Sequence, residues 1–406
     1  MNDYSPASSL GWLDLDTAAS ERVSTLLRSL EEPSTLDVLG LGTIRDAFAD
    51  MLSPGTSTVQ TRLRYFIFLP WIFQRLEAER VPPAQFARKL REAEARLIDH
   101  LRHLGSNQGV IGYRAGRNLK RMPSDIYWGG LVAWGIRLSL SPAEIAQRAA
   151  SIGRHRSERD DGNATAVGVS LWADLPPAPD DFLRAPIYFE LRPEEADFLV
   201  DRISQSQPDT LLAVLSAAPE VDVDVEYPWL VEAGVFKGRL ADALHHARCF
   251  SELSLGPQLV YSLLAARKAR TDLSWDREKL ETDTLDRLEQ WSRMVDGRGA
   301  TLHPWVDDPS GFRELLAGYR IGASALDFWH QMARLSMSDP TGFAENQDVH
   351  RLVQDRERRL KSKRARLTHR SALESLGTTS PAGQLDYRWG ITKAYIADLA
   401  AAEWGS

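Results

Sequence analysis

Residues 59–73 place the strongest constraint on the fold, because a helix over this stretch would be apolar on more than one face. Such breadth requires burial on most sides, so the segment belongs in the core of a sizeable domain. Pro70 predicts that the helix is kinked or ends there. Arg62 and Arg64 cannot both face inward without partners, because an isolated buried charge is very costly. The apolar residues that define the stretch are Val59, Leu63, Phe66, Ile67, Leu69 and Trp71.

A shorter amphipathic helix is predicted just before it, over 44–52, with apolar side chains at i, i+4, i+7 and i+8. Thr43 is the predicted N-cap, and the Ser-Pro-Gly sequence at 53–55 should end the helix. Gly40 and Gly42 precede this helix, and two interpretations are open. They could help bind a phosphate at the helix N-terminus, or they could form a turn that simply requires glycine.

The composition is that of an ordinary globular protein, with 406 residues, 43% of them hydrophobic and 26% charged. Helical periodicity dominates, so we expect a mainly α, multi-helical fold with at most a small β element. No apolar run approaches the roughly 18 residues of a membrane span, and the N-terminus does not resemble a signal peptide. A cytoplasmic location without membrane partners is therefore expected. The single cysteine, Cys249, excludes internal disulfides and cysteine-built zinc sites.

Composition also predicts where the chain divides. Residues 157–186 are rich in Pro and Asp and keep no period, which is typical of a linker or a long loop. We therefore predict an N-terminal helical domain over 1–156 and a C-terminal helical domain over 187–406. The N-terminal domain includes two short predicted helices within 124–156, joined by a short turn in a helix-turn-helix-like outline.

The distribution of charge is more informative than its total. The chain carries −7 from 49 basic and 56 acidic residues, yet 351–370 holds nine Lys or Arg against Asp355 and Glu357. This local excess of seven positive charges falls on a predicted basic helix at 349–370 whose apolar stripe is thin. Such charge either docks against the acidic remainder of the chain or binds a phosphate backbone. The candidate nucleic-acid-binding residues here are Arg358, Arg359, Lys361, Lys363, Arg364 and Arg366.

Two further basic segments lie in the predicted N-terminal domain. A Gly-rich loop at 105–123 combines positive charge with backbone N–H groups, a combination that either follows a phosphate backbone or is simply solvated. In the helix-turn-helix-like outline, exposed basic residues of the second helix and its exit would meet the major groove of DNA. The candidates are Arg114, Arg117, Lys120 and Arg121 in the loop, and Arg148, Arg154 and Arg156 in the second helix and its exit.

Residues 220–229 show the clearest strand-like alternation in the chain, with valines on one side and Asp222, Asp224 and Glu226 on the other. Three aligned carboxylates could hold Mg²⁺, as two-metal nucleases require. An exposed acidic strand face or an extended loop would give the same pattern. A metal-dependent nuclease is therefore an alternative function.

His245 and Cys249 share one face of a predicted helix, at positions i and i+4. A zinc site would need two further ligands, and the sequence offers none at a suitable spacing. A Cys–His nucleophile pair would need a third group to orient it. We expect a buried thiol in a structural helix, and we predict no metal, cofactor or catalytic residue.

Several short motifs in this chain are also landmarks of a known family. The chain resembles a family of uncharacterised bacterial proteins that is defined only as a domain of unknown function, and the resemblance covers nearly all of it. The resemblance implies no catalytic residues. It does imply a context, because such genes often sit in phage-defence neighbourhoods beside helicases and nucleases. The motifs are LGW at 10–12, GTIRDAFAD at 42–50, PGTST at 54–58, an aromatic run at 65–71, PSDIYW at 123–128, WGI at 134–136 and LDYRW at 385–389.

Three functions are therefore open. The first is a non-catalytic nucleic-acid-binding accessory subunit, with DNA favoured over RNA, which would hold nucleic acid for a partner such as a helicase or nuclease. The second is the metal-dependent nuclease. The third is a scaffold whose basic helix docks an acidic partner protein. Salt dependence separates the first from the third, because phosphate contacts lose affinity steeply as salt rises.

Overall fold

The computed structural model describes residues 34–103, 109–137, 171–375 and 382–403. These ranges contain fifteen α-helices and no strand, apart from an isolated antiparallel bridge between Arg137 and Trp172. The mainly α fold class is thus confirmed. In the described ranges, no helix combines the length and the apolar character that a membrane span requires.

The helices are numbered here in chain order, and four short 3₁₀ turns lie between them, at Gly116–Asn118, Pro228–Leu230, Phe343–Glu345 and Ser362–Arg364. The α-helices are α1 Thr35–Val38, α2 Gly42–Leu52, α3 Tyr65–Ala78, α4 Pro83–Arg102, α5 Pro123–Ala133, α6 Pro193–Ser206, α7 Leu211–Ser216, α8 Gly238–Leu273, α9 Glu278–Gly297, α10 Gly299–Asp307, α11 Ser310–Leu316, α12 Ala323–Ser338, α13 Gln347–Lys361, α14 Arg370–Leu373 and α15 Trp389–Glu403.

The chain forms two compact units, and each is built from segments that are distant in sequence. Among the described residues, the first unit comprises 54–103, 109–137, 171–221 and 390–403, and the second comprises 34–53, 222–375 and 382–389. The predicted linker at 157–186 is described only from residue 171 onward. The domain boundary predicted there therefore stays a prediction.

Helix α3 is the centre of the first unit and packs against α4 and α5. It is buried on almost every side from Tyr65 to Phe73, as its sequence predicts. The ring of Phe66 stacks on that of Trp134, with 3.8 Å between their centroids. Pro70 lies inside the helix, which does not end there but continues to Ala78.

Helix α3 begins later than the sequence pattern indicated, because the residues before it form a closely bonded loop. In this loop, the indole Nε1 of Trp134 donates to the carbonyl of Pro54 over 2.9 Å. The hydroxyl of Tyr127 accepts from the backbone N–H of Thr61 over 2.9 Å and donates to the carbonyl of Arg62 over 2.9 Å. These contacts use the backbone groups that a helix would otherwise need.

The two arginines before α3 are paired, as the cost of buried charge predicts. Arg62 Nη2 lies 2.7 Å from Asp398 on α15, and the same carboxylate accepts from the backbone N–H of Leu63 over 2.7 Å. Arg64 is 9% exposed, and its Nε lies 2.8 Å from a carboxylate oxygen of Glu195 on α6. Both ion pairs therefore tie the loop to helices that are remote in sequence.

The second unit is organised around α8, which packs against α1, α2, α9, α12 and α13. An aromatic cluster fills the space beside α8, including Phe48 of α2, Phe250 of α8 itself and Phe312 of α11. Their ring centroids are all 6.0 Å apart. This cluster explains why the apolar face of the predicted helix at 44–52 is buried.

One local prediction is wrong here, and one of the two interpretations of a second stretch is excluded. Thr43 is not the N-cap of α2, because the helix already begins at Gly42 with Leu41 as its cap residue. Residues 220–229 form no strand but an irregular segment that ends in the 3₁₀ turn at Pro228. In the second unit, the carbonyl of Val225 accepts from the indole of Trp389 over 2.9 Å, so an aromatic side chain takes a bond that a neighbouring strand would have made.

Candidate nucleic-acid interface

The second half of α13 contains an arginine that points into the protein. Arg356 is 5% exposed, and its Nε donates to the carbonyl of Leu39 over 2.9 Å. Its Nη1 donates to the carbonyl of Ser324 over 3.0 Å, and its guanidinium lies 5.1 Å from the ring centroid of Phe328. Burial lowers the pKa of Arg356. This arginine therefore anchors α13 and is not available to a ligand.

The next residue, Glu357, is also buried, at 1% exposure. Its carboxylate accepts hydrogen bonds from the hydroxyl of Tyr261 over 2.8 Å and from the backbone N–H groups of Arg366 and Leu367 over 2.8 and 2.9 Å. Burial and the neighbouring carboxylate raise the pKa of Tyr261, so its hydroxyl stays protonated and able to donate. Glu357 thus fixes the segment that follows α13.

The predicted basic helix at 349–370 is shorter than the sequence indicated, because α13 ends at Lys361. Ser362 then adopts φ 48° and ψ −119°, a conformation that L-residues rarely take and that costs about 1–3 kcal/mol. The two N–H groups held by Glu357 stabilise the turn against this strain. The 3₁₀ turn carries Lys363 and Arg364, which are both exposed.

We define the α13 surface as the five basic residues at the end of α13 and on this turn. Arg358 pairs with Asp355, with 2.7 Å between Nη2 and Oδ1. The other four have no ion-pair partner in the described part of the chain, and three of them are exposed while Lys361 is half-buried. Arg366, also predicted, is half-buried beside the Tyr261 hydroxyl. The α13 surface is Arg358, Arg359, Lys361, Lys363 and Arg364.

The basic loop of the first unit, described from residue 109, is held against α4. Arg91 Nη2 donates to the carbonyls of Arg117 and Leu119 over 3.3 and 2.7 Å, and Arg117 pairs with Asp99 over 3.0 Å. Arg114 and Lys120 are exposed. Of the predicted basic residues in this loop, Arg117 is therefore ion-paired, while Arg114 and Lys120 are exposed.

Arg121 is half-buried, and its charge acts on Asp125 at the start of α5. Burial raises the pKa of Asp125, while Arg121 opposes that shift. Arg148, Arg154 and Arg156 lie outside the described residues. The first helix of the helix-turn-helix-like pair is present as α5, but its second helix lies outside the described residues too, so the motif stays a prediction.

The geometry does not support the Mg²⁺ site that the nuclease alternative requires. No group of three His, Cys, Asp or Glu side chains within the described residues could hold a metal ion, and Asp222, Asp224 and Glu226 are among those residues. Asp222 instead accepts from the backbone N–H of Asp224 over 2.9 Å, as in an Asx turn. The segment behaves as the extended loop that was the other interpretation of its pattern.

Cys249 is a buried thiol, as expected, with 0% exposure. Its Sγ lies 3.9 Å from His245 Nε2, and burial raises the pKa of the thiol to about 12. A nucleophilic cysteine needs a lowered pKa, so the environment acts in the wrong direction. The pair is structural.

Gly40, just before α2, and Gly42, its first residue, are explained by close packing. Gly40 has φ 68°, and a Cβ at this residue would lie 2.7 Å from Leu360 Cδ1. A Cβ at Gly42 would lie 2.0 Å from the carboxylate of Asp37. That carboxylate already supplies negative charge near the start of α2, which leaves no electrostatic reason for a phosphate there.

Sequence reasoning missed the inward roles of Arg356 and Glu357, although a signal was present. Both lie seven or eight residues after Val349, on the same stripe as Val353, and this stripe is buried. Charged residues at stripe positions indicate buried partners. Sequence reasoning also missed a half-open cavity of about 710 Å³ in the second unit, between α8 and α9, whose lining mixes apolar side chains such as Leu259 and Leu280 with polar ones such as Asp283 and Arg287.

These features describe an α-helical protein with an exposed basic surface and, among its described residues, no group of His, Cys, Asp and Glu side chains that could hold a metal ion. A family model for a family of unknown function, DUF6361, matches residues 7–403, and the chain belongs to that family. The resemblance predicted from the sequence motifs is thus confirmed. Comparisons with curated proteins and with solved structures find no match.

Proposed function

We propose that this protein is a non-catalytic nucleic-acid-binding subunit, favouring DNA over RNA, and that it binds through the α13 surface. The observation that carries the proposal is a set of basic side chains left without acidic partners, in the described residues, on a backbone that is firmly held. Arg359, Lys363 and Arg364 are exposed, while the adjacent Arg356 and Glu357 are buried and hydrogen-bonded.

Like charges so close together repel one another, so a cluster without acidic partners destabilises the fold unless a ligand neutralises it. Cations in the last turn of a helix interact favourably with the helix dipole, which explains part of the set. That explanation does not reach Lys363 and Arg364, which lie beyond the end of α13 at Lys361. A phosphate backbone would neutralise the whole set and release counterions from the nucleic acid.

The accessory role rests on the phage-defence context that the sequence resemblance implies. We propose that the protein acts in the cytoplasm, in an anti-phage defence system, and presents nucleic acid to a helicase or nuclease. Affinity purification of the tagged protein from a cell that expresses its neighbouring genes would test this. Co-purification of such an enzyme supports the accessory role, and its absence in a strain that keeps full defence activity contradicts it.

The binding proposal is tested by fluorescence anisotropy with labelled nucleic acid at low and moderate salt. The variant Arg359→Ala/Lys363→Ala/Arg364→Ala removes three exposed charges from the α13 surface. We expect it to lose most of the affinity and to reduce the slope of log K against log salt by about 3, roughly one per phosphate contact. The control Lys279→Ala/Arg293→Ala/Arg313→Ala removes three exposed charges elsewhere in the second unit. It should bind like the unmodified protein.

Two outcomes would favour the other functions. If no nucleic acid binds and an acidic protein partner is lost only in the α13 variant, the surface is a protein-docking element. If the protein cleaves DNA with Mg²⁺ and Asp222→Ala abolishes cleavage, it is a metal-dependent nuclease.

A further inference from the structure

We infer that the α13 surface recognises the paired phosphate strands of a duplex in preference to a single strand. The inference rests on the proposed function and adds the class of nucleic acid. It follows from what the surface contains, from what surrounds it and from how firmly it is held.

The first step concerns stacking. Proteins that bind single strands combine positive charge with exposed aromatic rings on which unpaired bases stack. Residues 347–375 contain no Phe, Tyr or Trp. Two aromatic side chains contact the buried side of this segment: Tyr261 at Glu357 and Phe328 at Arg356. They are only 1% and 6% exposed. In the described residues, the α13 surface therefore offers unpaired bases no exposed Phe, Tyr or Trp ring to stack on.

The second step concerns charge. A duplex carries a higher linear charge density than a single strand, and each phosphate contact releases more counterion, about 0.9 against about 0.7. A surface that binds by charge alone gains this difference at every contact. Aromatic rings that stack on unpaired bases could offset this advantage of the duplex, but the α13 surface has no exposed Phe, Tyr or Trp in its described residues. Charge therefore favours the duplex.

The third step concerns rigidity. Single strands are flexible and adapt to many shapes, whereas a duplex presents phosphates at fixed spacing. The basic turn is fixed by the bonds from Arg366 and Leu367 to Glu357 and by the strained Ser362. Lys363 and Arg364 thus project from a backbone with little freedom. A fixed set of charges fits a regular array of phosphates and loses little entropy on binding it.

The test compares three labelled ligands of about 30 nucleotides or base pairs at matched salt, namely duplex DNA, duplex RNA and oligo-dT, which forms no secondary structure. We expect the duplexes to bind at least about tenfold more tightly than oligo-dT. The two duplexes distinguish DNA from RNA as the source of the paired phosphates. Both should lose affinity in the Arg359→Ala/Lys363→Ala/Arg364→Ala variant and keep it in the Lys279→Ala/Arg293→Ala/Arg313→Ala control.

A gain-of-function variant sharpens the test. Leu360 lies between Arg359 and Lys361 of the α13 surface and is 41% exposed, so Leu360→Trp would add an aromatic ring there. We expect several-fold tighter binding of oligo-dT with little change for duplex DNA. The matched control is Leu230→Trp, at an exposed leucine of the second unit with 48% exposure, which should change neither affinity.

The outcomes separate the inference from the proposed function. If oligo-dT binds as tightly as the duplexes and the α13 variant loses both, the inference is wrong while the proposed function stands. If none of the three ligands binds, the proposed function fails and the inference fails with it.

Discussion

The hydroxyl of Tyr261 donates a hydrogen bond of 2.8 Å to the carboxylate of Glu357, and both residues are almost fully buried. We expect Tyr261→Phe to lower the free energy of unfolding by about 1–3 kcal/mol, because one bond to a buried charge is lost. Glu357→Gln should cost more and should also weaken nucleic-acid binding, because its amide cannot accept all three bonds. Urea unfolding measures the first effect and anisotropy the second. Tyr319→Phe, at a half-buried site of the same unit, should leave both unchanged.

The ion pair between Arg64 and Glu195 in the first unit leads to a second prediction. Arg64 also donates from Nη1 to the carbonyl of Tyr188 over 2.9 Å, and Glu195 is fully buried. Replacing Glu195 with Leu would leave a buried guanidinium without its counter-charge, so we expect a loss of about 3–5 kcal/mol in urea unfolding. The neighbouring Glu194→Leu should change stability by less than about 0.5 kcal/mol, because Glu194 is exposed. Equal effects of the two variants would contradict this prediction.

The buried carboxyl of Glu94 makes the stability of the first unit depend on pH. Burial raises its pKa from 4.5 to about 8, although the backbone N–H of Ser124 donates to it over 2.7 Å. The folded state therefore holds this proton more tightly than the unfolded state does. Its contribution is fully present below about pH 4.5 and is lost as the pH rises towards 8, by at most about 1.4 kcal/mol per pH unit.

Glu94→Gln keeps an acceptor for Ser124 and removes the titration. We expect the melting temperature of the variant to fall less between about pH 5 and pH 8 than that of the unmodified protein. Glu92→Gln, at a half-buried residue of the same helix, should keep the original pH profile. Identical profiles for all three proteins would show that Glu94 is already ionised in the folded state.

Cys249 should be unreactive in the folded protein. Burial raises the pKa of its thiol to about 12, so the thiolate that reacts with disulfide reagents is scarce as well as inaccessible. We expect modification by a chromogenic aryl disulfide to be at least about a hundredfold slower in the native state than in urea. Thr282→Cys, at an exposed position of α9, provides the positive control and should react at once. Fast native labelling of Cys249 would overturn the assignment of a structural thiol.

Two adjacent glycines of α5 should respond in opposite directions to alanine. A Cβ at Gly130 would lie 2.5 Å from the carbonyl oxygen of Gly55 and 2.7 Å from the ring of Phe66, so Gly130→Ala should cost about 1–3 kcal/mol. A Cβ at Gly129 meets nothing within 4 Å, and Gly129→Ala should stabilise by about 0.5–1 kcal/mol because alanine favours the helix. Thermal unfolding of both variants checks the difference in sign.

Much of the fold could be predicted from local sequence. The apolar period located α2 and α4, and the breadth of apolar residues correctly indicated that α3 is buried on most sides. The start of α3 could not be predicted, because the loop before it is held by side chains that are distant in sequence. Tyr127 lies 65 residues after Arg62, and Asp398 lies 335 residues after Leu63. Contacts of that range leave no periodic signal nearby.

The candidate site shows the same limit. The sequence showed its exposed charges as a basic run, but it did not show that α13 ends at Lys361. The helix stops at Lys361 because Glu357 captures the N–H groups of the following turn, and Glu357 is itself held by Tyr261, 96 residues earlier in the chain. Composition alone therefore identified where the charge lies, and tertiary contacts determine how it is presented.

The pairing of Arg62 with Asp398 has a consequence for how the protein is made. Arg62 is synthesised 336 residues before its partner. At ribosomal speeds of 5–20 residues per second, that interval lasts roughly 20–70 s. During this time the apolar helix α3 emerges while the loop before it still lacks the carboxylate that secures it. The nascent chain is therefore a natural client for chaperones that shelter exposed apolar segments, and the first unit can be completed only when α15 has been translated.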